Sequence, residues 1–161
     1  MESVYNHLLN FRVIVFYSVQ SVIQEGGRME SLIPKGYNDL LAPERRAFAD
    51  LALVLADGTP QVTPVWFDWD GGLIVINTAR GRVKDKVMRR HPVVAMLIAD
   101  PANYYRYLQI KGPVVFESEE GAYEQICSLQ QKYRGDRNYP KRPGEVRVIY
   151  KIKPEKVQAR G

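Results

Sequence analysis

Apolar and polar positions predict an antiparallel hairpin in the first half of the chain. Residues 48–55 form an apolar run suited to a strand, and Asp57-Gly58 is a hairpin turn signal. Residues 61–69 then form the returning strand, in which Pro64 requires an edge position or a bulge, since proline cannot donate to a ladder.

Further strands follow along the chain. Asp70-Gly71-Gly72 marks a turn, after which residues 73–77 and 93–99 form two apolar, buried strands. Residues 104–116 form a long strand broken at Gly112-Pro113. Apolar and basic residues alternate over 146–153, which indicates a half-exposed final strand.

Helical patterns are few and short. Residues 38–41 and 43–46 form a helical entry, and a basic helix begins at Arg82. An amphipathic helix covers 118–133, with Ser118 as its N-cap and glutamates in its first turn. The pattern predicts a mainly β (α+β) protein, an antiparallel barrel with short helices, as a single domain over residues 29–161.

The basic segment 80–90 concentrates the charge of the chain. Its six cations and single Asp85 give +5, the formal net charge of all 161 residues. On a helix from Arg82, Lys84 falls in the apolar arc with Val83, Val87 and Met88, where a dry, unpaired ammonium is costly. No acid occupies the cap or the first two positions, so the helix start suits phosphate. The alternative is a solvated basic face.

Composition excludes several kinds of chemistry. One cysteine, Cys127, excludes an internal disulfide and is suited to the core. The only histidines are His7 and His91, so no metal-ligand spacing exists. The residues for a Cys-His or Ser-His-Asp catalytic arrangement are almost absent as well. We expect no metal, and the sequence singles out no catalytic residue. His91, before Pro92, fits a helix C-cap.

Residues 1–28 are treated apart. Their apolar patches are too polar and too short to span a bilayer, and no signal-peptide pattern is present. We expect no membrane association and a cytoplasmic protein. Glu25-Gly26-Gly27-Arg28 before Met29 suggests a mis-assigned start, so residues 1–28 are interpreted as a non-native or disordered extension; intact mass of the native protein tests this.

Four segments together resemble a known family. They read VTPVWFDWDG (62–71), NTARGRVKDKVMRRHP (77–92), DPANYYRYLQIKG (100–112) and YPKRPGEVRVIYKIKPEKV (139–157). This set is similar to the deazaflavin-dependent oxidoreductases of the pyridoxamine 5'-phosphate oxidase-like superfamily, over roughly residues 36–157. The resemblance implies an FMN-binding split β-barrel that forms a homodimer, with coenzyme F420 or FMN bound at the subunit interface.

The resemblance also implies binding residues. Arg82 and Lys84 match positions that hold the cofactor phosphate, and Thr78 and Arg80 match the entry to that turn. The strand along the ring system corresponds to Val62, Thr63, Pro64 and Val65. Lys86, with Arg89 and Arg90, serves an acidic oligoglutamate tail or is solvated surface; Tyr105 and Tyr107 reach the partner's cofactor or pack an interface.

The activity implied is hydride transfer between reduced deazaflavin and a small conjugated organic acceptor, for which the cofactor supplies the chemistry. The alternatives are an FMN-dependent oxidoreductase of the same fold and a non-catalytic flavin or deazaflavin binder. Nucleic-acid binding, suggested by a sequence pI of about 9.3, is not expected, because no recognised motif accompanies the charge.

Overall fold

Antiparallel pairing organises the part of the chain described by the computed structural model, residues 32–161. Two short 3₁₀ turns, Asn38–Leu41 and Pro43–Arg45, come first, as predicted. The strands are β1 (Ala49–Val54), β2 (Pro60–Val65), β3 (Phe67–Asp70), β4 (Leu73–Ala79), β5 (Val93–Asp100), β6 (Asn103–Ser118), β7 (Arg147–Ile152) and β8 (Lys156–Arg160), and the helices are α1 (Val83–Arg90) and α2 (Ala122–Arg134).

One long strand, β6, belongs to two sheets. The strands pair in the order β2-β1-β5-β6-β7-β4-β3, and β8 also pairs with β6. The first part of β6 lies between β5 and β8, whereas its last residues pair with β7. The predicted break at Gly112-Pro113 is therefore wrong, because the strand continues there and exchanges one neighbour for another. The mainly antiparallel fold with two helices confirms the predicted class.

The core follows the alternation of the strands. In β1, Ala49, Leu51 and Leu53 are buried. In β7, Val148, Tyr150 and Ile152 are buried and join the same core cluster as Val87 and Met88 of α1. Arg147, expected on the exposed face of β7, is buried instead, since its side chain is held by polar partners described below.

Several boundaries differ from the sequence prediction. The return strand of the first hairpin is divided at Trp66 into β2 and β3, and β8 was not predicted. β2 lies at a sheet edge, as Pro64 requires. α2 begins after Gly121, which has φ 71°, and Ser118 does not cap it; the Ser118 hydroxyl instead accepts the Glu120 N–H at 3.0 Å.

The burial of α1 also departs from the predicted arc. Val83 is exposed, and Asp85 is fully buried in its place. The reason is electrostatic, since Asp85 has hydrogen-bond donors on three sides, as detailed below. His91 is the C-cap residue of α1, and Cys127 is a free, buried thiol, both as expected.

Two absences hold for the described residues 32–161. None of their helices has the length and apolar character that a membrane crossing needs. They also contain no cluster of His, Cys, Asp or Glu that could ligate a metal. The expectations for residues 1–28 lie outside the described residues.

Candidate functional site

A cavity of about 440 Å³ opens between β2, the end of β4, the start of α1, one face of α2 and the loop after α2. The residues that line it are Pro64, Val65, Trp66, Asn77, Thr78, Arg82, Lys84, Ile126, Leu129, Gln130, Arg134, Tyr139, Pro140 and Arg142. Four of these are cations and none is a carboxylate, so the cavity favours an anionic ligand.

Lys84 lies on the cavity side of α1, half-buried. Its Nζ donates to the Thr63 hydroxyl at 3.2 Å, and within residues 32–161 it makes no ion pair. Burial, helped by the charge of Arg82, lowers the pKa of Lys84. The structure thus places the basic segment directly against β2, where the resemblance locates the cofactor ring.

Arg82 is the N-cap residue of α1, with extended backbone at φ −66° and ψ 156°. Because no side chain caps the helix, its first N–H groups stay available next to the cavity. The Arg82 guanidinium pairs with Glu145 at 2.6 Å. Arg82 is therefore both a cavity cation and one half of an internal ion pair.

Thr78 contributes a hydroxyl with no internal partner. Its side chain is 1% exposed, and its Oγ1 forms no hydrogen bond within the described part of the chain, although Thr78 lines the cavity. A buried hydroxyl left unpaired is costly, so a ligand that supplies an acceptor is favoured here. We call Thr78, Arg82 and Lys84 the phosphate socket, after the group that the family resemblance predicts at this turn.

Aromatic side chains pack against Trp66, which follows β2 and lines the cavity. The Trp66 ring lies parallel to Tyr133, with centroids 5.2 Å apart and an interplanar angle of 7°, and Phe48 packs against Tyr133 at 5.0 Å. The Arg134 guanidinium carbon is 5.5 Å from the Trp66 centroid. Trp69 packs against the core instead.

Arg80 serves another cluster, outside the residues that line the cavity. It donates to Glu119 at 2.6 Å and to Asp85 at 3.0 Å, and it lies 3.3 Å from the Tyr150 hydroxyl. Asp85 also accepts the Gly81 N–H at 2.8 Å and the Tyr150 hydroxyl at 2.7 Å. Burial raises the pKa of Asp85, but these bonds outweigh it and hold that pKa below its usual value. Arg80 is fully engaged in holding the turn that precedes α1.

The remaining predicted site residues lie around the cavity. Pro64 and Val65 line it, and Thr63 contacts it through Lys84. Val62 and Tyr105 are exposed, 62% and 84% respectively, and Lys86 is exposed as well. Neither these nor half-buried Tyr107 line the cavity, and their binding roles stay predictions.

One whole wall of the cavity was missed by the sequence prediction. It consists of Ile126, Leu129, Gln130 and Arg134 on α2, with Tyr139, Pro140 and Arg142 in the loop that follows. The amphipathic pattern of α2 was recognisable, but periodicity does not tell which element an apolar face covers. The basic, proline-rich composition of the loop was the only local signal.

Comparison with known proteins agrees with the fold described above. The family profile described as pyridoxamine 5'-phosphate oxidase matches residues 37–161. A solved structure described as an F420 reductase is 34% identical, with a TM-score of 0.69, over 78% of this chain and 98% of that one. No curated protein matches the chain.

More distant solved structures share the fold. A pyridoxamine 5'-phosphate oxidase-like protein of Listeria innocua is 23% identical over 76% of this chain and 93% of its own, with a TM-score of 0.58. A conserved hypothetical protein of Mycobacterium tuberculosis is 20% identical over 83% and 89%, with a TM-score of 0.61. These likenesses confirm the FMN-binding split-barrel fold.

Proposed function

The chain belongs to the pyridoxamine 5'-phosphate oxidase family, and from that premise we propose that it is an oxidoreductase that uses coenzyme F420. Its proposed reaction is hydride transfer between the reduced deazaflavin and a small conjugated organic acceptor. The observation that carries this proposal is the cation-lined cavity. In it Thr78, Arg82 and Lys84 lie beside the last residues of β2, and Lys84 donates to a β2 hydroxyl. The 34% identity to an F420 reductase favours the deazaflavin over FMN.

The donors in the cavity fit a phosphate group. Lys84 and Arg82 offer charged donors, which form the strongest hydrogen bonds to phosphate oxygens. The Thr78 hydroxyl needs an acceptor and has none among the described residues. The uncapped start of α1 adds its positive dipole end. Together these residues would hold the phosphate of a deazaflavin or of FMN.

The other walls suit a planar ring. Pro64, Val65 and Trp66 present apolar and aromatic surface on one side, and Ile126 and Leu129 face them from α2. When bound, the reduced coenzyme supplies the hydride. The contribution of this chain is to anchor the phosphate, orient the ring between these walls and exclude water from the apolar end of the cavity.

A fluorescence titration of the purified protein with coenzyme F420 and FMN, at low and at moderate salt, tests this proposal. Tight binding of F420, followed by oxidation of its reduced form on addition of a conjugated acceptor, is the expected result. Preference for FMN would move the chain to the FMN-dependent alternative. Binding without turnover over an acceptor panel would leave a non-catalytic binder, and binding of neither ligand would contradict the proposal.

A further inference from the structure

Glu145 sits between two arginines at the edge of the phosphate socket. Its Oε2 lies 2.6 Å from Nη2 of Arg82, and its Oε1 lies 3.2 Å from Nη1 of Arg147. The Glu145 side chain is 13% exposed, whereas that of Arg82 is 43% exposed. A mostly buried carboxylate therefore neutralises a socket cation that is itself open to solvent.

The two arginines differ in how firmly they are held. The Arg147 side chain is 7% exposed, and its Nε donates to Oδ1 of Asn77 at 2.7 Å. Its guanidinium carbon also lies 5.2 Å from the ring centroid of Tyr139. The Arg82 side chain has no other hydrogen-bond acceptor among residues 32–161. Glu145 is thus anchored through Arg147, and Arg82 is the partner that is free to turn away.

Lys84 lacks such a counter-ion within the described part of the chain. Its contact is the neutral Thr63 hydroxyl, so the cationic charge of the socket is balanced on the Arg82 side alone. An arriving phosphate group, a monoester dianion in FMN and a diester monoanion in coenzyme F420, presents several acceptor oxygens and can meet Lys84 and the Thr78 hydroxyl as well as Arg82. It can therefore draw Arg82 from Glu145. A single carboxylate or a chloride ion should not, because it would give Arg82 no stronger contact than the one Arg82 already makes with Glu145.

We propose that Glu145 is an internal counter-ion that competes with the cofactor phosphate for Arg82, and so sets the affinity and the anion selectivity of the socket. This inference rests on the proposed function, because it concerns the same phosphate. Glu145 acts through Arg82 and touches no ligand, so it is a positioning residue.

Glu145→Gln tests the inference directly, because it removes the charge and keeps the shape. We measure dissociation constants for coenzyme F420 and FMN, and for two ligands that lack the phosphate, riboflavin and the ribityl deazaflavin without its phosphate-linked tail. The variant should bind the two phosphorylated ligands about tenfold more tightly, with a steeper salt dependence, and bind the two unphosphorylated ones as the wild type does. Glu145→Asp keeps the charge but has a shorter side chain, and its dissociation constants should lie between those of the wild type and those of Glu145→Gln.

Two controls isolate the role of Arg82. Glu117→Gln also removes a carboxylate near an arginine, 3.5 Å from Arg80, but outside the cavity, and should leave all four constants unchanged. In a protein that already carries Arg82→Gln, Glu145→Gln should change the dissociation constants much less. The reason is that the effects of two residues that act through one contact are not additive.

The outcomes are separable. If the wild type binds a phosphorylated ligand but Glu145→Gln binds it equally or more weakly, with a melting temperature like the wild type, the inference is overturned and the proposed function stands. Equal tightening of riboflavin and FMN would also overturn it. If the wild type binds neither phosphorylated ligand, the proposed function fails, and this inference with it.

Discussion

The basic segment 80–90 contains two groups of cations with different surroundings. Arg80 and Arg89 surround the buried carboxylate of Asp85, at 3.0 and 3.7 Å. Arg82 and Lys84 face the cavity instead. A shift of one or two positions along the turn decides whether a cation faces Asp85 or the cavity, because successive residues at a helix start point in different directions. A uniform run of charge in the sequence therefore contains both cations that hold the turn and cations that line the cavity.

Lys84→Ala should weaken binding of FMN or coenzyme F420 by an order of magnitude or more. The physical reason is the loss of a charge-assisted phosphate bond, worth roughly 1.5–3 kcal/mol. The fluorescence titration measures the effect. Lys86→Ala, on the same helix but exposed, is the matched control with FMN, which has the phosphate and no acidic tail. An unchanged dissociation constant for Lys84→Ala would show that the socket is misplaced.

Among the elements, β6 depends on one close contact. A Cβ at Gly112 would lie 1.8 Å from the carbonyl oxygen of Lys153, at the place where β6 changes neighbours. The backbone after β7 crosses β6 there, held by hydrogen bonds from Lys153 N to Pro113 O and from Glu155 N to Lys111 O. Only glycine permits this approach.

Gly112→Ala should therefore lower the free energy of unfolding by about 2–4 kcal/mol, since the backbone must shift to relieve the overlap. Urea denaturation measures this change. Lys111→Ala, next to it and exposed, should alter stability far less. Equal stability of Gly112→Ala and the wild type would mean that the backbone between β7 and β8 does not approach β6 closely at this point.

The turn between β5 and β6 has a pH-sensitive anchor. The Ala102 N–H, together with Arg45 and Arg106, lowers the pKa of Asp100 to about 2. Because this pKa lies below the unfolded value of about 3.9, Asp100 stabilises the fold at neutral pH, and that contribution is lost as the pH falls from about 4 towards 2.

Asp100→Asn should consequently flatten the dependence of unfolding free energy on pH below pH 4, while lowering stability at pH 7. Urea denaturation at a series of pH values measures both effects. Glu120→Gln, an exposed change without an ion pair in the described part of the chain, is the control. A slope below pH 4 equal to that of the wild type would exclude Asp100 as the anchor.

At the scale of the whole molecule, aromatic and aliphatic side chains remain on the surface of the sheet that contains β1, β2, β5 and β6. Tyr105 is 84% exposed, Tyr104 65% and Val62 62%. The Tyr104 hydroxyl bonds to Asp50 of β1 at 2.9 Å, which places it on the same sheet as Val62. Exposed apolar surface of this kind is typical of interfaces. We propose that it is covered in a homodimer.

Sedimentation should give a mass twice that of the 18.5 kDa chain. Tyr105→Glu should shift the mass towards the monomer, because it buries a charge without a partner at the interface. Lys35→Glu, an exposed change elsewhere, is the control. A wild-type monomer at micromolar concentration would contradict the proposal.

Local pattern was a good guide to this protein in some places and a poor one in others. Turns at Asp57-Gly58 and Gly71-Gly72 were recognisable, because glycine conformations are local properties. The cap of α2 was misassigned at Ser118, since the strand before it runs on to that residue. The partners of Asp85 were not predicted, because its donors come from Gly81, Arg80 and the distant Tyr150.

By itself, the sequence determined the mainly β class, the order of most elements and the anomalous position of Lys84, since periodicity and turn chemistry are set by neighbouring residues. Only the tertiary structure decided that β6 is shared by two sheets, that α2 and its loop close the cavity and that Glu145 meets Arg82. Arg82 and Glu145, for example, lie 63 positions apart along the chain, and chain folding, which local periodicity does not encode, brings such residues together.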